Sequence, residues 1–361
     1  MKLNIKFKFN ENIRKGDFSA KYFLVTKEIL ERNQSENISL LRFKHFSKNV
    51  VVAGINEVLQ LIQFALSKDD LKKIKIYYLD DGTITNEDEP ILAIEGDYKK
   101  FGFLENIIDG ILSRRSSVAT NAHNIVSIIG SERIIYMADR SDDYSIQAYD
   151  GYSAYIGGIR KFVTDESVKF LKESSISDFK VMGTIPHAII QQYKGNLSEV
   201  IKIFQKIFPK NPTVGLIDFH NDCLHEIEEL RNNNIKNLDY VRIDTSKKLI
   251  DKSLQHIYDL SDDDSLYGVN KYLIKKVREK LDQCGFKNTK IIISSSVNLK
   301  NIREYENENI PIDIYGVGKS FLNINVNFTG DLIKLNGEYL AKEGRNQNID
   351  VYLKNMKTLQ I

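Results

Sequence analysis

The sequence predicts an α/β protein: an irregular (β/α) barrel of about seven parallel strands plus a discontinuous N-terminal α+β sandwich domain. Three observations predict it. Beyond residue 130, short apolar runs recur, each ending in a polar or glycine-bearing cluster, with helical patterns between several of them. Strands that alternate with helices run parallel with right-handed crossovers, and about seven or eight such units close most economically into a barrel. Earlier residues mix strand and helix patterns without that rhythm. After the last run, Asn336-Gly337 is a strong two-residue turn signal, so "GDLIKLNGEYLAKEGR" reads as a hairpin that packs back on the N-terminal part. The boundaries that follow are 1–118 for the N-terminal domain, completed by 328–361, and 119–327 for the barrel.

The elements follow in order. "LNIKFKF" alternates like a half-buried strand. "SAKYFLVTKEILER" spaces Phe23, Val25, Ile29 and Leu30 as a helix does, and "INEVLQLIQFAL" is a second amphipathic helix. "KIKIYYL" and "PILAIEG" read as strands, and a helical pattern runs from Phe101 through Leu104, Ile107, Ile108 and Ile111. The adjacent pair Arg114-Arg115 reads as a solvated helix face. The barrel strands are "RIIYMA" before Asp139-Arg140, "SAYI" before Gly157-Gly158, "FKVM" before Gly183 to His187, and "TVGLI" before Asp218. Then come "YVRI" before Asp244-Thr245, "KIIIS" before Ser295-Ser296, and "IDIY" before Gly316-Val317-Gly318. "VNKYLIKKVREKLDQCG" is the clearest helix, with Leu273, Val277, Leu281 and Cys284 on one face and Gly285 as its stop.

Composition excludes several classes. Lys and Arg total 51 against 49 acidic residues in 361, a net charge of +2, which gives no global field for nucleic acid or membrane. Two cysteines, Cys223 and Cys284, build neither a disulfide framework nor a zinc knuckle. The N-terminus lacks a signal-peptide core, and no apolar run approaches the ~20 residues of a membrane span. A cytoplasmic setting is expected.

In barrels of this kind the chemistry lies at the C-terminal strand ends, and a phosphate site often forms from the loops after the last two strands. Here those loops are Ser294-Ser295-Ser296 and Gly316-Val317-Gly318-Lys319-Ser320, whose small residues let backbone N–H groups approach an anion. Arg140, Arg242, Asp244 and Asp218 form a second constellation. Arg242 and Asp244 are two apart in a strand and point to the same side. That pair suits a structural ion pair or a bidentate hold on a carboxylate or phosphate, and spacing leaves both open. His187, in "GTIPHAII", follows a Gly and a Pro that turn the chain. A lone histidine there is either a structural hydrogen-bond donor or a working group. His45, His123, His220, His225 and His256 show no metal-ligand spacing.

Together the segments resemble the nicotinate phosphoribosyltransferases, type II phosphoribosyltransferases, and look closest to their shorter archaeal and bacterial branch. "GDFSAKYFLVTKEIL" is similar to the family's opening helix, and "IEGDYKKFGFLENIIDGILSRRSSVATNA" to its next conserved run. "MADRSDD", "AYIGG", "GTIPHAII", "LIDFHNDCLHEI", "VRIDTS", "IIISSSVNL", "DIYGVGKSF" and "AKEGR" follow in the family's order. The resemblance implies condensation of nicotinic acid with phosphoribosyl pyrophosphate to nicotinate mononucleotide. It implies ATP hydrolysis through a phosphohistidine at His187, and Mg2+ carried with the substrates rather than by the protein. It also implies a homodimer with shared active sites, in which Tyr22 stacks on the pyridine ring from the partner subunit. Arg140, Arg242 and Asp244 match residues around base and ribose, Thr184, Asp218 and Arg160 other substrate contacts, and Ser294–Ser296 with Gly316–Lys319 the 5′-phosphate loops. The chain departs from the family pattern at Ala20, Ser141, Arg160, Cys223 and Ser295. Two other readings stay open: a decarboxylating quinolinate phosphoribosyltransferase, and a weakened paralogue that binds a nucleotide.

Overall fold

The computed structural model describes residues 5–255 and 264–359. In chain order, the N-terminal part carries strands β1 (Ile38–His45), β2 (Val50–Val51), β3 (Lys75–Tyr78), β4 (Ile84–Thr85) and β5 (Pro90–Asp97). The middle carries β6 (Ile134–Tyr136), β7 (Lys161–Phe162), β8 (Lys180–Val181), β9 (Val214–Leu216), β10 (Tyr240–Ile243), β11 (Lys290–Ile293) and β12 (Ile314–Val317). The last three are β13 (Phe328–Leu335), β14 (Glu338–Tyr339) and β15 (Lys357–Leu359).

The middle strands form a seven-stranded sheet in the order β8-β7-β6-β12-β11-β10-β9, with every pairing parallel. Its edges, β8 and β9, do not pair with each other, so the barrel is open. Alternation along the strands sorts its faces. Ile135, Val214, Ile292 and Ile314 cluster on the concave side with Met137, Met182 and Tyr240. Two residues beyond Ile292 and Ile314 stand Ser294 and Gly316, and two beyond Tyr240 stands Arg242. The sheet's own period thus carries the polar residues to its C-terminal rim.

The second sheet is antiparallel, six strands in the order β14-β13-β1-β5-β3-β15. Three of these strands lie after the barrel in the chain. β13 pairs along β1 from Ser39↔Leu335 to His45↔Phe328. The β13–β14 turn uses Asn336 and Gly337 at φ of 49° and 87°, the two positive values that a hairpin twisting with its strands requires. The helix Glu105–Ile129 bridges the two parts: its first half faces β13 and its second half the barrel core.

Some expectations change. "SAYI" is not a strand but the end of helix Gln147–Ile156, and the place in the sheet goes to Lys161–Phe162. A four-residue run is too short to reveal its period. Tight contact favours the helix: a Cβ on Gly151 would lie 1.9 Å from the Ser167 carbonyl oxygen, and one on Gly157 would lie 2.3 Å from that of Ala119. "LNIKFKF" forms no strand over Ile5–Phe9, although Ile5 and Phe7 are buried; Leu3 and Asn4 lie outside the described residues, as does His256. The helix Lys21–Arg32 forms, but of its apolar residues only Phe23 is buried. Among the described residues no helix is long and apolar enough to cross a membrane.

Candidate active site

A cleft of about 820 Å³ opens at the C-terminal rim of the parallel sheet. It gathers residues from six strand ends, β7 among them through Val163. Arg140 and Asp139 follow β6, Thr184 and Pro186 follow β8, and Arg242 and Asp244 come from β10. Ser294, Ser295 and Ser296 follow β11, and Gly316, Gly318 and Lys319 come from β12 and the turn after it. Ile135, Met137, Val163, Met182 and Ile185 give one apolar wall. Sequence reasoning missed that wall. Its signal was present in Met137, which repeats Ile135 two residues later on the same face.

Two glycines stand in close approach to Met137. A Cβ on Gly316 would lie 2.6 Å from Met137 Sδ, and one on Gly318 would lie 3.0 Å from the Met137 carbonyl oxygen. Neighbouring Val317 is fully buried and turns into the core rather than the cleft. The serine turn is more unusual. Ser295 and Ser296 both adopt left-handed backbone, at φ of 73° and 57°. Ser294 Oγ donates to Asp244 Oδ1 at 2.9 Å, which ties this turn to the end of β10.

Arg242 and Arg140 differ in occupancy. Arg242 donates from Nη1 to Thr184 Oγ1 at 2.7 Å, and its Nε is buried without a partner. Burial lowers its pKa, opposed by the charges of Asp244 and Asp218. Arg140 sits on an exposed loop in the cleft wall and has no ion-pair partner among the described residues.

His187 begins the short helix His187–Gln192, with Pro186 as its cap. Its Nε2 lies 3.1 Å from Asp218 Oδ1. The imidazole is 41% exposed while the Asp218 side chain is nearly buried. Burial raises the Asp218 pKa, the His187 contact opposes that, and the Asp244 charge adds to it. His187 does not line the cleft itself; it stands beside it through Pro186 on one side and the Asp218–Asp244 pair on the other.

Two predicted site residues lie elsewhere. Arg160 is not in the cleft wall: its Nε donates to Asp178 Oδ2 at 3.0 Å, and its guanidinium lies over the Tyr155 ring. Tyr22, on the helix Lys21–Arg32, is 65% exposed and also lies outside the cleft wall. With Phe18, Val25 and Ile29 it makes an exposed apolar stripe. The Arg114-Arg115 pair is no solvated face. Arg115 is buried against Glu57 through two hydrogen bonds of 2.8 and 3.1 Å, and Arg114 holds Asp150 and Asp142. Two adjacent arginines look alike in sequence, whereas the carboxylates that bury them come from distant segments. Among the described residues no group of three or more His, Cys, Asp or Glu could hold a metal ion.

Comparison with known proteins agrees with this architecture. Residues 24–116 match the family model for the N-terminal domain of quinolinate phosphoribosyl transferase. The chain is 23% identical over 253 residues to the nicotinate phosphoribosyltransferase of Bacillus subtilis (strain 168), a match over 68% of this chain but only 45% of that protein. The crystal structure of nicotinate-nucleotide pyrophosphorylase from Pyrococcus furiosus superposes with a TM-score of 0.76 at 26% identity, over 95% of this chain and 81% of that one. The human nicotinic acid phosphoribosyltransferase shares the fold, with a TM-score of 0.61 at 13% identity over 89% of this chain and 75% of that one. With an open seven-stranded barrel and an antiparallel sheet completed from the C-terminus, the chain has the type II phosphoribosyltransferase fold and is similar in sequence to these relatives.

Proposed function

We propose that the chain condenses nicotinic acid with phosphoribosyl pyrophosphate to give nicotinate mononucleotide in NAD biosynthesis, with ATP hydrolysis coupled through His187. The observation that carries the choice of acid is the charge of the cleft. Its lining has the cations Arg140, Arg242 and Lys319 and the carboxylates Asp139 and Asp244. Lys319 belongs to the phosphate loop and Arg242 lies against Thr184 with the Asp244 charge beside it, which leaves Arg140 for the acid. The wall of Ile135, Met137, Val163 and Met182 suits a flat aromatic ring. A pyridine dicarboxylate would bring a second negative charge into the cleft without a further cation to meet it.

In this reading Ser294–Ser296 and Gly316–Lys319 hold the 5′-phosphate, and Arg140 meets the nicotinate carboxylate. Arg242 braces Thr184 and the Asp218–Asp244 side. The ribose C1′–oxygen bond breaks and pyrophosphate leaves with the electron pair. The pyridine nitrogen then forms the new bond to C1′, and the positive charge developing on the ribose faces Asp244. Mg2+ arrives on the substrate: two cleft carboxylates are too few for a cage but suit a metal already held by pyrophosphate. Tyr22 and its apolar stripe come from a second copy of the chain in a homodimer. At His187, Nε2–H donates to Asp218 and leaves the Nδ1 lone pair as the nucleophile. Nδ1 attacks the γ-phosphorus of ATP, the bond to the bridging oxygen breaks, and ADP departs.

The family model matched by residues 24–116 favours a second reading, quinolinate as the acid. One assay separates them: product formation from phosphoribosyl pyrophosphate with nicotinate or quinolinate, with and without ATP, in wild type and His187→Ala. Nicotinate turnover stimulated by ATP in wild type alone, with acid-labile label from γ-labelled ATP, supports the proposal. Quinolinate consumption with release of carbon dioxide transfers the chain to the second reading. Binding of nicotinate mononucleotide without turnover of either acid marks a nucleotide-binding paralogue.

A further inference from the structure

Arg114 connects three parts of the molecule around the cleft. It stands on the helix Glu105–Ile129. Its Nε and Nη2 grip Asp150 on the helix Gln147–Ile156 at 3.0 and 2.7 Å, and Nη2 also reaches Asp142 Oδ2 at 2.8 Å. The Asp150 side chain is 3% exposed and that of Asp142 is 40% exposed. Asp150 therefore anchors the guanidinium in the core, and Asp142 is the contact on the cleft loop. The loop has further ties. Gln147 Nε2 donates to the Asp139 carbonyl oxygen at 2.8 Å, and the Asp143 carboxylate accepts from the Ser145 N–H at 2.8 Å. Arg140 lies between these tethers and has no ion-pair partner among the described residues.

An acid able to spoil that arrangement is Asp142, two residues along the same loop. Its carboxylate, if released, is tethered close to the Arg140 guanidinium at a high effective concentration. A salt bridge there would neutralise Arg140. We propose that Arg114 is a positioning residue: by holding Asp142 against Asp150's helix, it fixes the loop and keeps Arg140 unpaired for an anionic group of the substrate. The inference rests on the reading above that Arg140 meets the substrate carboxylate.

A double-mutant cycle tests it. Arg114→Lys keeps a cation beside buried Asp150 but loses the planar fork that reaches Asp142, so KM for nicotinate is expected to rise ~10-fold with kcat within ~2-fold. Asp142→Asn removes the competing charge, so alone it should shift KM by less than ~3-fold, and added to Arg114→Lys it should restore KM to within ~3-fold of wild type. A purely structural Arg114 gives no such rescue, and a double variant no better than Arg114→Lys overturns the proposal. Backbone hydrogen exchange over residues 139–146 judges the clamp without any substrate. It should quicken ~10-fold in Arg114→Lys, and also in Asp142→Ala, which leaves the Asp150 contact intact and so keeps the test open if Arg114→Lys does not fold. Unchanged exchange in both variants overturns the clamp even if wild type turns over nicotinate. If wild type does not turn over nicotinate, the functional reading fails and faster exchange still supports the clamp.

Discussion

In the antiparallel part of the molecule, buried cations are matched inside the chain. Arg42 gives its terminal nitrogens to Asp331 and Gln347 at 3.0 Å each, Lys44 meets Asp88, and Arg115 grips Glu57. At the rim of the parallel sheet the pattern reverses. Arg140 has no ion-pair partner among the described residues, and Arg242 donates to the neutral oxygens of Thr184 and Ile185. One region uses ion pairs to join segments far apart in sequence. The other leaves cationic groups with capacity for an anion. Fold and function thus draw on the same residue types, and the partner decides which purpose each arginine serves.

The largest effect should come from breaking a pair in the first region. Arg115→Ala leaves Glu57 charged and buried without a cation, which costs about 3–5 kcal/mol. Calorimetry or urea unfolding measures it. Arg140→Ala is the counterpart: unfolding stability within ~0.5 kcal/mol of wild type and, on the proposed function, KM for nicotinate raised on the order of 100-fold. If Arg140→Ala destabilises as much as Arg115→Ala, the contrast between the regions collapses.

A second prediction concerns pH. Glu105 and Asp109 lie one turn apart on the helix that faces β13. Burial pushes each carboxyl up to about 7, and Asp331 on β13 adds repulsion to both. Tyr98 donates to Glu105 at 2.8 Å, while one Asp109 oxygen is buried without a partner. Because their folded pKa values lie above the unfolded ones, the folded state binds more protons between roughly pH 4 and 7. Their contribution is therefore fully present at acid pH and is lost as pH rises through about 7. Asp109→Asn mimics the protonated form, so it should flatten that decline and add about 1 kcal/mol at pH 8. Urea midpoints at pH 5.5 and pH 8 decide it. A wild type with no decline across that interval, and no gain from the substitution, contradicts the assignment.

Much of the barrel was legible because its signal is local. Six of the seven expected runs fall on strands, and the polar ends of five of them line one cleft, since alternation along a strand carries a face forward two residues at a time. The run "SAYI" misled because four residues fit either period, and the true β7 is only Lys161–Phe162, too short to announce itself. In the N-terminal sheet, β1 carried no clear pattern: seven of its eight residues are buried, including Arg42 and His45, so no polar alternation marks it. The roles of Arg114, Arg115 and Arg160 were illegible for another reason. Each is decided by a carboxylate from elsewhere in the chain, Asp150, Glu57 or Asp178, and sequence does not record that meeting.

The smallest predicted effect probes the cleft from inside. Ser295 and Ser296 hold consecutive left-handed conformations, a backbone that costs a non-glycine residue roughly 1 kcal/mol or more. The turn persists because its surroundings fix it: the side chains of Asn298 and Asn301 both donate to the Ser296 carbonyl oxygen at 3.1 Å, and Ser294 is tied to Asp244. Ser295→Gly removes the conformational penalty at its own position and returns part of it through the freer unfolded chain, for a net gain of about 0.5 kcal/mol. The same substitution separates two ways of holding a phosphate. If backbone N–H groups do the binding, losing the side chain opens a closer approach, and KM for phosphoribosyl pyrophosphate should fall by ~2-fold. If the Ser295 hydroxyl is itself a ligand, KM should instead rise ~5-fold while stability still increases. We expect the fall, because Gly316 and Gly318 across the cleft already expose bare backbone to the same space. A Ser295→Gly variant that loses both stability and affinity would remove the turn from the phosphate site altogether.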